Sequence, residues 1–574
     1  MDKKVKININ DKEIVCSANQ TILEIALEND IFIPSLCYHT DFKPRANCRV
    51  CVVEIEGKEK LATSCKTKVK DGMKIKTNSS RVKRARNLNI ELIFSEHIEK
   101  CPTCIWRYNC KLLELADKYK LEITRFKDRK AKRKIYKFDN AVEIDGTQCI
   151  DCRNCVDACS ILQNINYLEI QGKGVEQEIV PTKDKKIECI NCGQCAVHCP
   201  VGAAQEQTHW EMVRKAIADK NKIVIAQFAP AIRVSLGEEF GLPYGKIVVD
   251  QMVAGARELG FDYVFDVNFG ADMTTVVEAE ELIKRIKNKG VIPMMTSCCP
   301  AWVKYVEFYH PELIGNLTMS RSPHIHNGGI IKTYWAEKMN LKPKDIIVVS
   351  IMPCTAKKFE SARSEMKINR HYPVDYVLTT REFAFMLKDN KIDLTNIKKS
   401  RADYPLGEYS GAAAIYGGSG GVVESAIRTA EFMLGGRKGK VQNSKLNLKE
   451  VRGLAGVKET TVDVAGKQIR VAVVNGIGNI EPIIKNINNY DYIEVMACPG
   501  GCIGGGGQPM PTTDETRKKR IEALYKLDKS KKIRKAHENK SVQEVLSWLK
   551  EQDGMEHKIL HTTYKKRKSS IFKV

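Results

Sequence analysis

The sequence predicts a multidomain protein of mixed α+β and α/β class, on three observations. The chain has 574 residues, enough for three to five domains with cores of their own. Sixteen of its 21 cysteines fall between Cys16 and Cys199, and none lies between Cys199 and Cys298. Beyond about residue 210, short β-rich apolar runs alternate with helical segments, the rhythm of a parallel sheet with crossover helices.

In chain order, residues 1–80 read as a small mixed β domain. A hairpin of 5–9 and 13–15 turns at Asn10–Asp11, a helix covers 21–28, and a strand at 49–56 ends at Gly57. Residues 81–125 are helical, and 125–137 form a basic linker. Residues 138–209 contain a duplication: one four-cysteine pattern occurs at 149–159 and again at 189–199. In 210–515 the apolar runs 222–228, 263–267, 291–296, 346–352, 469–475 and 492–497 are strands, and 273–287 is a helix. Three of these strands run into Cys298, Cys354 and Cys498. Ligand crevices in such sheets lie at the strand carboxyl ends, so these cysteines are expected to converge. Residues 516–574 are charged and helical, without cysteine.

Lys3, Lys4 and Lys6 are followed by no apolar stretch, so no signal peptide is expected. The longest uncharged stretch, 495–513, is broken by Gly and Pro and cannot cross a membrane as a helix. A cytoplasmic protein follows, in a reducing compartment where clustered cysteines bind metal rather than pair. The formal charge of +23 is densest at 81–86 (RVKRAR), 125–137 and 565–568 (KKRK). Solvated surface accounts for most of it. Nucleic-acid binding lacks a recognition module, and docking of an acidic protein is the favoured functional reading.

The duplicated runs, Cys149-x2-Cys152-x2-Cys155-x3-Cys159 and Cys189-x2-Cys192-x2-Cys195-x3-Cys199-Pro200, match the bacterial two-cluster pattern, in which the fourth cysteine ligates the other cluster. One 4Fe–4S cluster is therefore assigned Cys149, Cys152, Cys155 and Cys199, and the second Cys159, Cys189, Cys192 and Cys195. Cys37-x10-Cys48-x2-Cys51-x13-Cys65 fits a 2Fe–2S cluster, with zinc as the alternative. His97-x3-Cys101-x2-Cys104-x5-Cys110 supplies three thiolates and an imidazole one helical turn before them, suited to a His-ligated 4Fe–4S cluster or to zinc.

Three further segments, TSCCPAW at 296–302, MPCTAKK at 352–358 and EVMACPGGC at 494–502, strongly resemble the three signatures of the iron-only (FeFe) hydrogenases, in order. The front half resembles that family's accessory-cluster domains and the last region its small-subunit segment. The resemblance implies a β-grasp 2Fe–2S domain, a helical His/Cys cluster segment, a ferredoxin-like two-cluster domain and a two-lobed α/β H-cluster domain. It implies that Cys299, Cys354, Cys498 and Cys502 hold a 4Fe–4S cubane. Cys502 would bridge to a diiron unit carrying CO, cyanide and a bridging dithiolate amine, together the H-cluster. Lys357 would hydrogen-bond a cyanide, Met352 and Met496 would pack on the diiron unit, and Pro230 and Ala231 of the FAPAIR segment would face it. Cys298 would begin a proton path continuing through Glu278, Thr318, Glu281 and Arg285. Reversible reduction of protons to H2 is implied, with ferredoxin or flavodoxin as electron partner, dedicated maturation proteins and an anaerobic host.

Nineteen cysteines are then ligands and Cys298 is a relay thiol, which leaves Cys16 to the core. Departures from the family's best-known pattern are Ala231 for a serine, Tyr416 for phenylalanine and His324 for glutamine; Thr318 stands where serine is common. Gly417–Gly421 lacks the glycine spacing of a nucleotide loop and is expected to let a helix end approach the cofactor. Competing readings are an electron-transfer subunit built like residues 1–208, a cluster-assembly relative and a hydrogen sensor.

Overall fold

The six apolar runs between residues 222 and 497 all contribute strands in the computed structural model, and they sort into two sheets. The structure describes residues 3–435 and 448–569; residues 1–2, 436–447 and 570–574 of the expected units lie outside the described residues. The first sheet is wholly parallel, in the order Tyr263–Asp266, Ile223–Phe228, Ile346–Met352, Tyr376–Thr379. The second runs Met294–Met295, Tyr492–Met496, Lys467–Asn475, Val457–Val464; its first three strands are parallel and the last is antiparallel. Only two residues of the expected strand at 291–296 pair as a strand, because Pro293 offers no N–H to a ladder. Helix Val267–Lys287 begins six residues earlier than expected, with the Asp266 carboxylate accepting from Asn268 N at 2.9 Å.

The N-terminal unit is a five-stranded mixed sheet carrying helix Ile22–Glu28, which Thr21 caps. Its hairpin turns at Asn10 and Asp11, both at positive φ. Cys16 packs half-buried at the edge of this core. Helices Ser80–Ser95 and Lys111–Lys118 follow.

Three basic features depart from expectation. The linker 125–137 ends in a strand, Ile135–Phe138, of a three-stranded sheet with Val142–Asp145 and Ala204–Glu206. Its cations are largely paired internally: Arg125 with Glu91, Arg129 and Lys130 with Glu96, Arg133 with Asp151. Arg86 of the first run is buried and donates to the Val52 carbonyl at 2.8 Å. The third run is pinned to the body, where Lys565 N and Arg567 Nε reach the Glu307 carboxylate.

The C-terminal region is no appendage. Val542, Val545, Leu549, Ile559 and Leu560 complete the core of the first sheet. Arg517 of helix Asp514–Ser530 grips both carboxylate oxygens of Asp41, at 3.1 Å each. His198 bonds the same carboxylate at 3.1 Å and stacks edge-on against His39, so one clasp joins the first, third and last regions.

Candidate active site

Strands of both sheets deliver their carboxyl ends to one cavity enclosing about 710 Å³ of atom-free space, its mouth included. From the first sheet come Ala229 and Pro230, Val267, and Met352 to Cys354; from the second, Cys298 and Cys299, and Met496 to Cys498. Cys502 and Lys357 complete the wall used below. The thiols of Cys299, Cys354, Cys498 and Cys502 face the cavity together, Cys498 buried and the other three half-buried at its wall. Burial first, and then mutual charge repulsion, hold the last three above the usual thiol range, Cys354 at about 12. Two of the four sit at helix starts. N–H groups of Ala301 and Trp302 point at Cys299, and those of Ala356 and Lys357 at Cys354, an arrangement that favours thiolate.

On one side of the cavity the Lys357 ammonium donates to the Cys298 carbonyl at 3.0 Å and to Glu360 Oε2 at 2.7 Å. The same oxygen accepts from His324 Nε2 at 2.7 Å. Glu278 is fully buried with Tyr492 donating to it at 3.0 Å, and burial pushes its carboxyl up to about 8. Its charge in turn raises the Cys298 thiol, after burial itself. Thr318 donates to Glu281 at 2.5 Å, and Arg285 Nη2 donates to Glu281 at 2.6 Å near the surface. Of the five residues named from the sequence, Cys298 lines the cavity, Glu278 is near enough to act on it and on Glu281, and Thr318, Glu281 and Arg285 bond to one another.

In the front half the duplication is legible in the backbone. Asp151 and Asn191 have positive φ, as do Arg153 and Gly193, and each loop turns an N–H onto its first sulfur: Asp151 N to Cys149 at 3.3 Å, Asn191 N to Cys189 at 3.4 Å. Cys199 couples electrostatically to Cys149, Cys152 and Cys155, while Cys159 couples to Cys189 and Cys195, so each fourth cysteine sits among the sulfurs of the other run. Cys37 lies within hydrogen-bond reach of Cys48, and Cys51 of Cys65. His97 donates from Nδ1 to the Gln148 carbonyl at 2.9 Å, which leaves Nε2 for a ligand. The groups approach in series: Cys48 acts on Cys152, Cys110 on Cys199, Cys195 on Cys155, and Cys498 on Cys192, whose carbonyl lies 3.8 Å from the Cys498 sulfur.

Five family models match along the chain. The 2Fe-2S iron-sulfur cluster binding domain covers 2–80, the NADH-ubiquinone oxidoreductase-G iron-sulfur binding region 86–125 and the 4Fe-4S dicluster domain 148–203. The C-terminal domain of the iron only hydrogenase large subunit covers 222–506, and the iron hydrogenase small subunit 514–567. The chain is 39% identical to iron hydrogenase 1 of Clostridium pasteurianum, across 98% of this chain and 100% of that one. It is also 39% identical to the NADP-reducing hydrogenase subunit HndD of Solidesulfovibrio fructosivorans, across 98% and 99%. The chain belongs to the iron-only hydrogenase family. An apo FeFe-hydrogenase HydA1 structure from Chlamydomonas reinhardtii aligns with this hydrogenase at TM-score 0.54 and 35% identity, over 62% of this chain and 98% of that one.

The H-cluster of iron-only hydrogenases fits the residues present: four thiols, two at helix starts, face one apolar cavity that an ammonium also lines. Some expectations for this hydrogenase change. Pro230 lines the cavity, and Ala231 beside it is fully buried in the apolar cluster with Tyr416, Leu524 and Met496. Gly505 lines the cavity, and it and Gly506 also let backbones pack closely: a Cβ on Gly505 would stand 2.1 Å from the Pro353 carbonyl, and one on Gly506 2.5 Å from Gly193 Cα. The helix start after Gly420 faces the Glu494 carboxylate, which accepts from Gly420 N at 2.6 Å and Val423 N at 2.9 Å; only Gly417 of that run lines the cavity. Tyr492, Tyr564 and Glu360 were not singled out from the sequence. Glu360, three residues after Lys357 on one helix, had a readable signal. Tyr492 and Tyr564, which bonds Ser297, come from distant segments and had none.

Proposed function

We propose that this hydrogenase catalyses reversible reduction of protons to H2, 2H⁺ + 2e⁻ ⇌ H2, at an H-cluster held by Cys299, Cys354, Cys498 and Cys502. The convergence of those four thiols from two sheets on one cavity carries the reading. When bound, the diiron unit supplies the centre where electrons and protons combine. Cys502 would help hold it, Lys357 would donate to an anionic ligand of it, and Met352, Met496 and Pro230 would give it polarisable or apolar contact. Cys298 exchanges a proton with the cavity and passes it through Glu278, Thr318, Glu281 and Arg285. A carboxyl near pKa 8 suits that work, since it can give or take a proton near neutrality.

Cys37, Cys48, Cys51 and Cys65 would hold a 2Fe–2S cluster, and His97, Cys101, Cys104 and Cys110 a 4Fe–4S cluster. Cys149, Cys152, Cys155 and Cys199 would hold a second 4Fe–4S cluster next to both, and Cys159, Cys189, Cys192 and Cys195 a third next to Cys498, an order in which bound clusters would supply electron transfer to the cavity. The close approaches in series support this order. The functional units are 1–80, 81–125, 138–209, 210–515 and 516–574, in an anaerobic cytoplasm, with ferredoxin or flavodoxin as electron partner and maturation proteins supplying the diiron unit. The full-length similarity to a protein named for NADP reduction supports a second acceptor route, through further polypeptides to NADP. Infrared spectroscopy of the anaerobically matured protein is expected to show CO and cyanide bands, and their absence would remove the enzyme reading. Ferredoxin-driven turnover by the isolated chain, with none from NADPH until other polypeptides are added, is the outcome that accommodates both partners.

A further inference from the structure

A chain of buried polar groups behind Lys357 has one direction that hydrogen-bond accounting fixes. The Gln227 amide nitrogen faces the His324 carbonyl, which can only accept, at 3.0 Å, and donates its second N–H to Ser350 Oγ at 2.6 Å, while Gln227 Oε1 accepts from Asn327 Nδ2 at 2.7 Å. The Ser350 hydroxyl proton is then available to His324 Nδ1, 3.2 Å away. With Nδ1 accepting, a neutral imidazole carries its proton on Nε2, which donates to Glu360 Oε2 at 2.7 Å. That oxygen also accepts from the Lys357 ammonium at 2.7 Å, and Lys357 spends a second N–H on the Cys298 carbonyl at 3.0 Å. An ammonium has three N–H groups, so one remains on the cavity side. His324, Ser350 and Gln227 are all fully buried or nearly so, and no water is needed to close the chain.

From this geometry we infer that His324 is a positioning residue for Lys357: its Nε2–H, oriented by Ser350 and Gln227, holds the Glu360 carboxylate that sets where the Lys357 ammonium points. The imidazole lines the cavity wall, yet its polar contacts run away from the thiols, to Ser350 and Glu360. A single carboxylate oxygen shared by an N–H donor and an ammonium has little freedom to rotate. Removing the N–H frees Oε2 to follow the lysine, and the ammonium withdraws from the cavity towards it. Glutamine at this position keeps an N–H donor and is expected to preserve the arrangement; leucine has none.

This inference rests on Lys357 facing a cyanide in the proposed H-cluster. Infrared spectra of matured wild type, His324→Gln, His324→Leu and Ser350→Ala proteins test it. The cyanide bands are expected to shift in His324→Leu, to shift less in Ser350→Ala and to stay near wild type in His324→Gln, with carbonyl bands moving less than cyanide bands throughout. Should His324→Leu fail to mature, the same order between Ser350→Ala and His324→Gln decides. Cyanide bands unmoved in His324→Leu, or in Ser350→Ala where that decides, overturn the inference and leave the hydrogenase reading standing. Wild-type protein without any CO or cyanide band fails the hydrogenase reading instead.

Discussion

Two buried carboxylic acids, Glu278 and Glu360, act on residues of the same cavity, Cys298 and Lys357, and meet opposite fates. Burial raises both. Around Glu278 no cation answers among the described residues, so its carboxyl rises to about 8 and holds a proton at neutral pH. Around Glu360 the Lys357 ammonium and then His324 overturn the effect of burial and carry it down to about 2. Low dielectric sets the stakes and the neighbouring charge decides the outcome, so one acid can move protons while the other anchors a cation.

The largest expected effect breaks the first half of that comparison. Glu278→Gln keeps the size and the Tyr492 contact but cannot release a proton, and turnover with a small dye is expected to fall about 10²–10⁴-fold while the infrared bands of the matured protein persist. Cys298→Ser is expected to fall in the same range with the same bands; unchanged rates in either variant would refute the path. Glu360→Gln breaks the second half. It leaves a buried ammonium without its anion, and chemical denaturation of the unloaded protein is expected to show a loss of about 3–5 kcal/mol.

The pH dependence of stability sharpens the contrast. An unfolded glutamic acid releases its proton near pH 4.3, whereas folded Glu278 keeps its own to about 8. Its stabilising contribution is complete below the lower value and is lost as pH rises towards the upper one. Thermal midpoints of the unloaded protein should therefore fall with rising pH more steeply in wild type than in Glu278→Gln; parallel slopes would mean Glu278 is ionised in the fold. The smallest effect is that of Tyr492→Phe. It removes the one hydrogen bond that favours ionised Glu278, so the alkaline limb of the rate profile should move to higher pH with less than tenfold loss at its maximum.

Cysteine spacing made the front half legible. The loops around Cys149 and Cys189 are built within eleven residues each, and positive φ at 151, 153, 191 and 193 follows from wrapping N–H groups about a sulfur at that spacing. The strands ending at Met352 and Met496 could also be read, since a buried parallel strand is a short apolar run. The basic runs could not. Arg86 and Arg567 look like solvated charge until Val52 and Glu307 are brought beside them from distant parts of the chain.

The amino-acid order by itself determined which atoms are available. It supplies the sulfurs and their local loops, the strand rhythm, and a lysine with a glutamate one turn away. Only the folded chain decided which buried acid keeps its proton, because that depends on which groups it brings beside each: the Lys357 ammonium turned onto Glu360 with the His324 N–H from another helix, and, among the described residues, no cation bonded to Glu278. Electrostatic energy in a low-dielectric interior falls with distance through space, and distance along the chain does not fix it.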